Sequence, residues 1–319
     1  MNTRPKVGLV LGGGGARGLA HLGVLQALER EGIDVDSIVG TSVGAVVGAV
    51  YALEPDALSK TRQALAYFRS PSFAGSAFKK LLLRSDDVDQ TFLSSIVASI
   101  RKSYVFSNLL RKPSILPRER LAALVNDFVP AKKFSDTRLP FAVPALDLRS
   151  GADVLLEEGE LRPAVLASCS LPGFFPPVEI GGRLLADAGV IGPVPVNAAI
   201  ERFAPDVLIA VDISSYLHTL PGVERGLDVI LRVESIACAR LNELEIARAD
   251  VVIRPAVGAK YWSDFSGLES MVNAGVIATQ AKLGEIRAAI ARRSGSVRSF
   301  LRRVASAGTP EAETAPSGD

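Results

Sequence analysis

The sequence predicts an α/β protein, with a central, mainly parallel sheet flanked by helices and a helical insertion. Three observations carry this. Short apolar runs at 7–11, 37–39, 207–211 and 251–253 read as buried strands. Segments of helical character alternate with them, the pattern of a parallel sheet built from crossover units. The first two runs each end in a glycine-containing turn that leads straight into a helix. The chain has 319 residues, 48% of them hydrophobic, enough to bury a large core.

The first strand, Val-Gly-Leu-Val-Leu, is bounded by Lys6 and Gly12. Gly12 to Gly18 reads Gly-Gly-Gly-Gly-Ala-Arg-Gly, and 19–31 reads as a helix stopped by Gly32. The second strand ends in Gly40-Thr41-Ser42-Val43-Gly44, followed by a dense run of small and apolar residues to Leu53. Residues 54–138 change character. Helices are expected near 56–68, 87–99 and 118–128, separated by proline- and serine-containing pieces. No acidic residue occurs from Gln90 to Pro117, where Arg101, Lys102, Arg111 and Lys112 interleave with Tyr104, Phe106, Leu109 and Leu110. Residues 70–138 thus read as a helical insertion with a solvated basic face. The alternative is a lid or a membrane-surface contact through 70–117.

Strands resume at 139–148 and 153–157, joined by Arg149-Ser150-Gly151. A short helix at 161–168 is stopped by Leu171-Pro172-Gly173. Strands 178–180 and 183–186 flank Gly181-Gly182 as a hairpin, and Asp187-Ala188-Gly189 leaves the second of them. Helices follow at 196–203, 227–247 and 268–293. One catalytic domain over 1–304 is expected, with a disordered tail at 305–319.

Composition narrows the function. A net charge of +2 predicts no strong attraction to nucleic acid. Cys169 and Cys238 are far apart and lie in no ligand motif, so they read as thiols of a reducing compartment. No apolar run approaches the ~20 residues of a spanning helix, and the start lacks a signal-peptide core. A cytoplasmic protein is expected, with peripheral contact to the inner membrane surface as an option. No cofactor and no metal is expected.

Gly40-Thr41-Ser42-Val43-Gly44 has the Gly-x-Ser-x-Gly spacing of a nucleophile elbow, in the strand–turn–helix context that motif needs. The helix N-terminus behind Ser42 carries roughly half a positive charge, which favours a developing alkoxide. The Gly12–Gly18 loop offers backbone N–H groups for an oxyanion, where one such donor is worth ~3 kcal/mol. The same loop holds Gly13-x-Gly15-x-x-Gly18, the spacing of a dinucleotide fingerprint. That match is weak, because the second strand closes on Gly40-Thr41-Ser42 and not on an acid. A phosphate-gripping P-loop is excluded by the missing Gly-Lys-Ser/Thr.

The base is the harder assignment. The chain has two histidines. His21 reads as a helix-packing residue. His218 could close a triad with Ser42 and Asp187 or Asp212, in the chain order of α/β-hydrolases. The competing base is Asp187, at a strand end ahead of small residues. Ligand sites of open α/β sheets gather at strand carboxyl ends, where all three stretches can meet.

Gly-Gly-Gly-Gly-Ala-Arg-Gly (12–18), Gly-Thr-Ser-Val-Gly (40–44) and Asp-Ala-Gly (187–189), in this order, resemble the bacterial patatin-like phospholipases. Ala167-Ser168-Cys169-Ser170-Leu171-Pro172 and Pro176-Pro177-Val178 are similar to that family too, and the resemblance covers roughly residues 6–255. It implies a three-layer patatin-like fold and a Ser–Asp dyad without histidine, with Ser42 as nucleophile and Asp187 as proton acceptor. It also implies an oxyanion hole from the amides of Gly13, Gly14, Gly15 and the Arg17 region. Gly18, Gly40, Gly44, Ala188 and Gly189 complete the motifs. The family's third motif has Gly where this chain has Ala188, and a methyl fits there if φ is negative. The implied substrate is a lipid or other acyl ester, and Arg17 could meet a lipid phosphate. A free aspartate titrates near ~3.9 and is a weak base, so proton transfer is expected to be concerted with attack. The rivals are a general carboxylesterase or thioesterase, a His218 triad hydrolase, and a non-enzymatic regulatory or membrane-adaptor protein.

Overall fold

The computed structural model describes residues 4–70, 73, 113–214, 217, 222, 226–257 and 267–307. Among these residues eight strands form one sheet: β1 (Val7–Leu11), β2 (Ser37–Gly40), β3 (Phe141–Asp147), β4 (Asp153–Leu156), β5 (Val178–Ile180), β6 (Arg183–Ala186), β7 (Val207–Val211) and β8 (Val251–Ile253). Their order is β5-β6-β3-β2-β1-β7-β8, with β4 also paired to β3. The run β3-β2-β1-β7-β8 is parallel, and the pairs β3–β4, β3–β6 and β5–β6 are antiparallel. The described helices are α1 (Leu19–Arg30), α2 (Val43–Leu53), α3 (Ala57–Arg69), α4 (Arg118–Phe128), α5 (Leu161–Ser168), α6 (Val196–Phe203), α7 (Gly226–Ile246) and α8 (Leu268–Ala307).

Both faces of the sheet are buried, which is why its strands read as unbroken apolar runs. Leu9, Leu11, Ile38, Ile209 and Val211 point into a large core with α1, α2 and the first half of α8. The intervening Val10, Val39, Leu208 and Ala210 point into a second core with Val196 and Ala199 of α6 and Ile246 of α7. The period-2 alternation of strand side chains thus produces a helix–sheet–helix sandwich. The crossing of α1 and α8 is close. A β-carbon on Gly23 would lie 1.9 Å from Val272 O, and one on Gly275 would lie 2.0 Å from Ala20 O.

The element boundaries follow the sequence reading within a residue or two, with one correction. The last helix does not stop at Arg293 but continues to Ala307. Gly295 interrupts the helical pattern there, and one interior glycine costs a helix only about 1 kcal/mol. The tail expected at 305–319 therefore begins inside this helix, whose last residues are 305–307. The expected helix at 87–99, the basic–aromatic stretch up to Lys112 and the rest of that tail, from 308, lie outside the described residues. No helix among the described residues is long and apolar enough to cross a membrane.

Candidate active site

Ser42 sits between β2 and α2 with φ 54 and ψ −121. Left-handed backbone at a non-glycine residue is strained by about 1–3 kcal/mol and persists only where the surroundings enforce it. The enforcement comes from close approach on both sides. A β-carbon on Gly40 would lie 2.3 Å from Gly44 O, and one on Gly44 would lie 2.1 Å from Leu11 O. Neither glycine has positive φ, so what they supply is room and not conformational freedom. The Ser42 N–H donates to Ser168 Oγ at 3.0 Å.

Asp187 reaches this turn from the opposite direction. β3 pairs with β2 only through Val39↔Ala142, then overshoots it. β6 pairs with that overhang, Leu146↔Ala186 and Asp147↔Leu185, and runs back toward β2. Continuing both registers puts Ser42 and Asp187 each at the level of Ala145. The two strands run toward each other along β3, which brings the Ser42 side chain close enough to the Asp187 carboxyl to favour its ionised form. Asp187 is 2% exposed. Its Oδ1 accepts from Gly189 N–H at 2.8 Å, and its own N–H donates to Ser170 O at 3.0 Å. Burial pushes its pKa up to about 7, against the opposing influence of Ser42 and the Gly189 amide. That lies well above the free-aspartate value expected from sequence, in a range suited to proton transfer at neutral pH. Ala188 lies in a short 3-10 turn and has no positive φ, so its methyl is accommodated.

The glycine loop leaves β1 beside the elbow. Gly12 N–H donates to Val211 O at 3.0 Å and Gly13 N–H to Pro193 O at 2.9 Å. Gly13 presses its bare α-carbon toward Ser42, since a β-carbon there would lie 3.5 Å from Ser42 Cβ. Its amide is already engaged, so Gly13 is not available as the oxyanion donor that the sequence reading offered. Gly15, with φ 61, opens a 3-10 turn over Gly15–Gly18 that feeds α1.

Arg17 and His21 lie behind this loop. Arg17 is 2% exposed, and its Nε donates to Gly14 O at 3.1 Å. Burial lowers its pKa to about 10 while Asp212 pulls the other way. That places its guanidinium as a brace for the loop and not on a lipid phosphate. His21 is fully buried, and its Nε2 donates to Gly12 O at 2.8 Å. Burial drops its pKa to about 4, so the ring is neutral at working pH. Asp212 accepts from Ser214 and pairs with Arg254 at 3.4 Å. His218 lies outside the described residues.

Three residues of the Ala167–Leu171 segment tie the two halves of the site together. Ser168 and Ser170 are buried and hold the backbones of Ser42 and Asp187, and the Cys169 thiol faces both. Burial pushes the Cys169 pKa far up, so it remains a neutral thiol. Sequence reasoning noted this stretch only as part of the resemblance. Its one local signal, small polar residues where a helix C-terminus meets a proline, does not say what they bind.

Ser42 and Asp187 open into an apolar cavity of ≈ 170 Å³. Gly15, Gly18 and Leu22 line it, with Val43, Val46 and Val50 of α2, Phe68 of α3, Leu124 and Phe128 of α4, and Phe175.

Among curated relatives, an uncharacterised NTE family protein of Mycobacterium tuberculosis is 36% identical over 213 residues, 67% of this chain and 50% of that one. A patatin-like phospholipase domain-containing protein of Caenorhabditis elegans is 32% identical over 219 residues, 68% of this chain and 14% of that one. A lysophospholipase of Meyerozyma guilliermondii is 28% identical over 300 residues, 85% of this chain and 19% of that one. The chain spans about half the length of the first of these relatives. Among solved structures, VipD from Legionella pneumophila is 14% identical with a TM-score of 0.46, covering 89% of this chain and 67% of that one. The family model described as patatin-like phospholipase matches residues 9–200, a span that begins in β1 and ends in α6. More than half of the sequence lies inside that match, and the chain belongs to the patatin-like phospholipase family.

Proposed function

We propose that the protein is a serine lipid acyl hydrolase working through a Ser42–Asp187 dyad. The observation that carries this is one juxtaposition: the strand registers bring a strained serine at a helix N-terminus beside a buried aspartate, and both line an apolar cavity. Asp187 accepts the Ser42 proton as Oγ attacks the ester carbonyl. The carbonyl π electrons move to its oxygen, which the amides of Gly14, Gly15 and the Arg17 turn stabilise. The tetrahedral intermediate collapses, the C–O bond to the alcohol breaks, and protonated Asp187 returns the proton to that alcohol. Water then attacks the acyl-serine, giving its proton to Asp187, and the same route releases the fatty acid and restores Ser42.

The burial that raises Asp187 serves this cycle, because the group must take and return a proton twice per turnover. The apolar wall suits the hydrocarbon of an acyl chain, at roughly 0.8 kcal/mol for each methylene buried. The name of the Meyerozyma relative, lysophospholipase, fits a cavity of this kind and adds a single-chain phospholipid to the substrates worth testing first. Peripheral membrane contact and a cytoplasmic location belong to the same proposal.

The test is labelling with a fluorophosphonate probe, followed by a lipid panel, on wild type, Ser42→Ala and Asp187→Asn. Wild type labels and releases fatty acid; Ser42→Ala does neither; Asp187→Asn labels at least about 100-fold more slowly. Labelling that survives Ser42→Ala overturns the assignment.

A further inference from the structure

The cavity beside Ser42 follows the length of α2. Val43, Val46, Val47 and Val50 line it at helical spacing, with Ser42 just before the helix and Glu54 just after it. Among the described lining residues, the hydrogen-bonding side chains gather at two places. Ser42 and Asp187, with the Cys169 thiol, stand at one; Lys60 and Gln63 of α3 stand at the other. The wall between is valine, leucine, alanine and phenylalanine.

Lys60 lies across the far end. Its side chain is only 10% exposed, yet its ammonium is 2.5 Å from the carboxylate of Glu54, which is 60% exposed. The stem therefore lines the cavity while the charge reaches the solvent edge. The ammonium also holds the Glu54 carboxyl below the usual carboxylate range.

We propose that the Lys60 stem, held beside Glu54, is the end-stop of an acyl channel and sets an upper chain length between about ten and fourteen carbons. This rests on the Ser42 assignment above. Val50 stands eight residues beyond Ser42, about 12 Å along a helix; Glu54 stands twelve beyond, about 18 Å. A zig-zag chain of ~1.5 Å single bonds advances roughly 1.25 Å per carbon. About ten carbons therefore reach Val50, and about fourteen reach the ion pair. A longer chain must push the lysine stem aside and break the pair. Truncating the stem to alanine removes three of its four methylenes and the ammonium, and opens the end by about that length.

The experiment is a chain-length profile on p-nitrophenyl esters from C4 to C16, for wild type, Lys60→Ala and Lys60→Met. In parallel, displacement of a fluorescent fatty acid by C8 to C16 acids is measured on the same three in a Ser42→Ala background. Wild type is expected to fall away beyond C10–C12. Lys60→Ala raises the C16-to-C10 ratio of kcat/KM by at least about tenfold, with C4–C8 rates little changed, and displacement shifts in the same sense. Lys60→Met keeps most of the stem's bulk but loses the Glu54 pair, so its cut-off falls between those of wild type and Lys60→Ala. Superimposable profiles for wild type and Lys60→Ala, or a loss equal at every length, overturn the proposal. If no ester is cleaved but displacement shows the cut-off moving with Lys60→Ala, the channel stands and the Ser42 reading falls.

Discussion

Replacing Asp187 with asparagine removes a buried charge as well as a base, and the two effects have opposite signs. The fold raises this carboxyl from 3.8 to about 7, roughly three pH units at ~1.4 kcal/mol each, or about 4 kcal/mol in all. Below pH ~4 the group is neutral in both folded and unfolded chains, and this term is absent. Between pH ~4 and 7 the unfolded chain releases a proton that the folded chain retains, so wild type loses stability as pH rises. Above 7 the loss is complete. Asparagine is isosteric, keeps a carbonyl oxygen for the Gly189 amide, and has no such term. Asp187→Asn should therefore exceed wild type by about 2 kcal/mol at pH 5 and about 4 kcal/mol at pH 8. At about 2 °C per kcal/mol for a chain of this size, the gap in Tm widens from about 4 °C to about 8 °C. Thermal melts at pH 5, 6, 7, 8 and 9 measure it, beside an ester assay in which the variant loses about 10²–10⁴ of its rate. A gap that stays constant with pH, or a variant less stable than wild type at pH 8, refutes the burial argument for Asp187.

Further outcomes follow from the same geometry. Because Asp187 must be ionised to accept a proton, kcat/KM should rise with pH through a midpoint near 7, from about one tenth of its plateau at pH 6 to nine tenths at pH 8. His21, at about 4, does not titrate in that window, and a flat profile from 5.5 to 8.5 would count against an Asp187 base. Ser168→Ala frees the Ser42 amide and should lower kcat about tenfold with KM within twofold, and Ser168→Thr should restore most of it. An equal loss in the threonine variant would assign the effect to packing. Gly44→Ala drives a methyl to 2.1 Å from Leu11 O and should destabilise by more than about 3 kcal/mol, seen as a lower urea midpoint or as insoluble protein. His218→Ala should retain full ester hydrolysis, whereas a 100-fold loss would restore the triad reading.

Most of the architecture was legible because each signal was local. The strands of the parallel core announce themselves as apolar runs, since both of their faces are buried. The elbow needed only five residues in a strand–turn–helix context. The final helix runs past the expected end at 293 to Ala307, and α8 carries Gly295 as an interior residue. The loop amides were harder to read. Gly13 is indistinguishable from Gly14 in the sequence, and only the fold commits its N–H to Pro193 O, 180 residues away. Arg17 looked like a phosphate ligand by its loop, yet it is buried under that loop.

By itself the sequence determined the alternation of strands and helices and the turn that exposes Ser42. These depend on periodicity and on residue types within a few positions of one another. What only the tertiary structure decided is the encounter of groups 145 residues apart. β3 overshoots β2, and β6 returns along the overhang, so two strands meet end to end at one level. The acidity of Asp187 was decided there as well: a pKa reflects the water a carboxyl has lost and the donors it has gained, and both are set by segments remote in the chain.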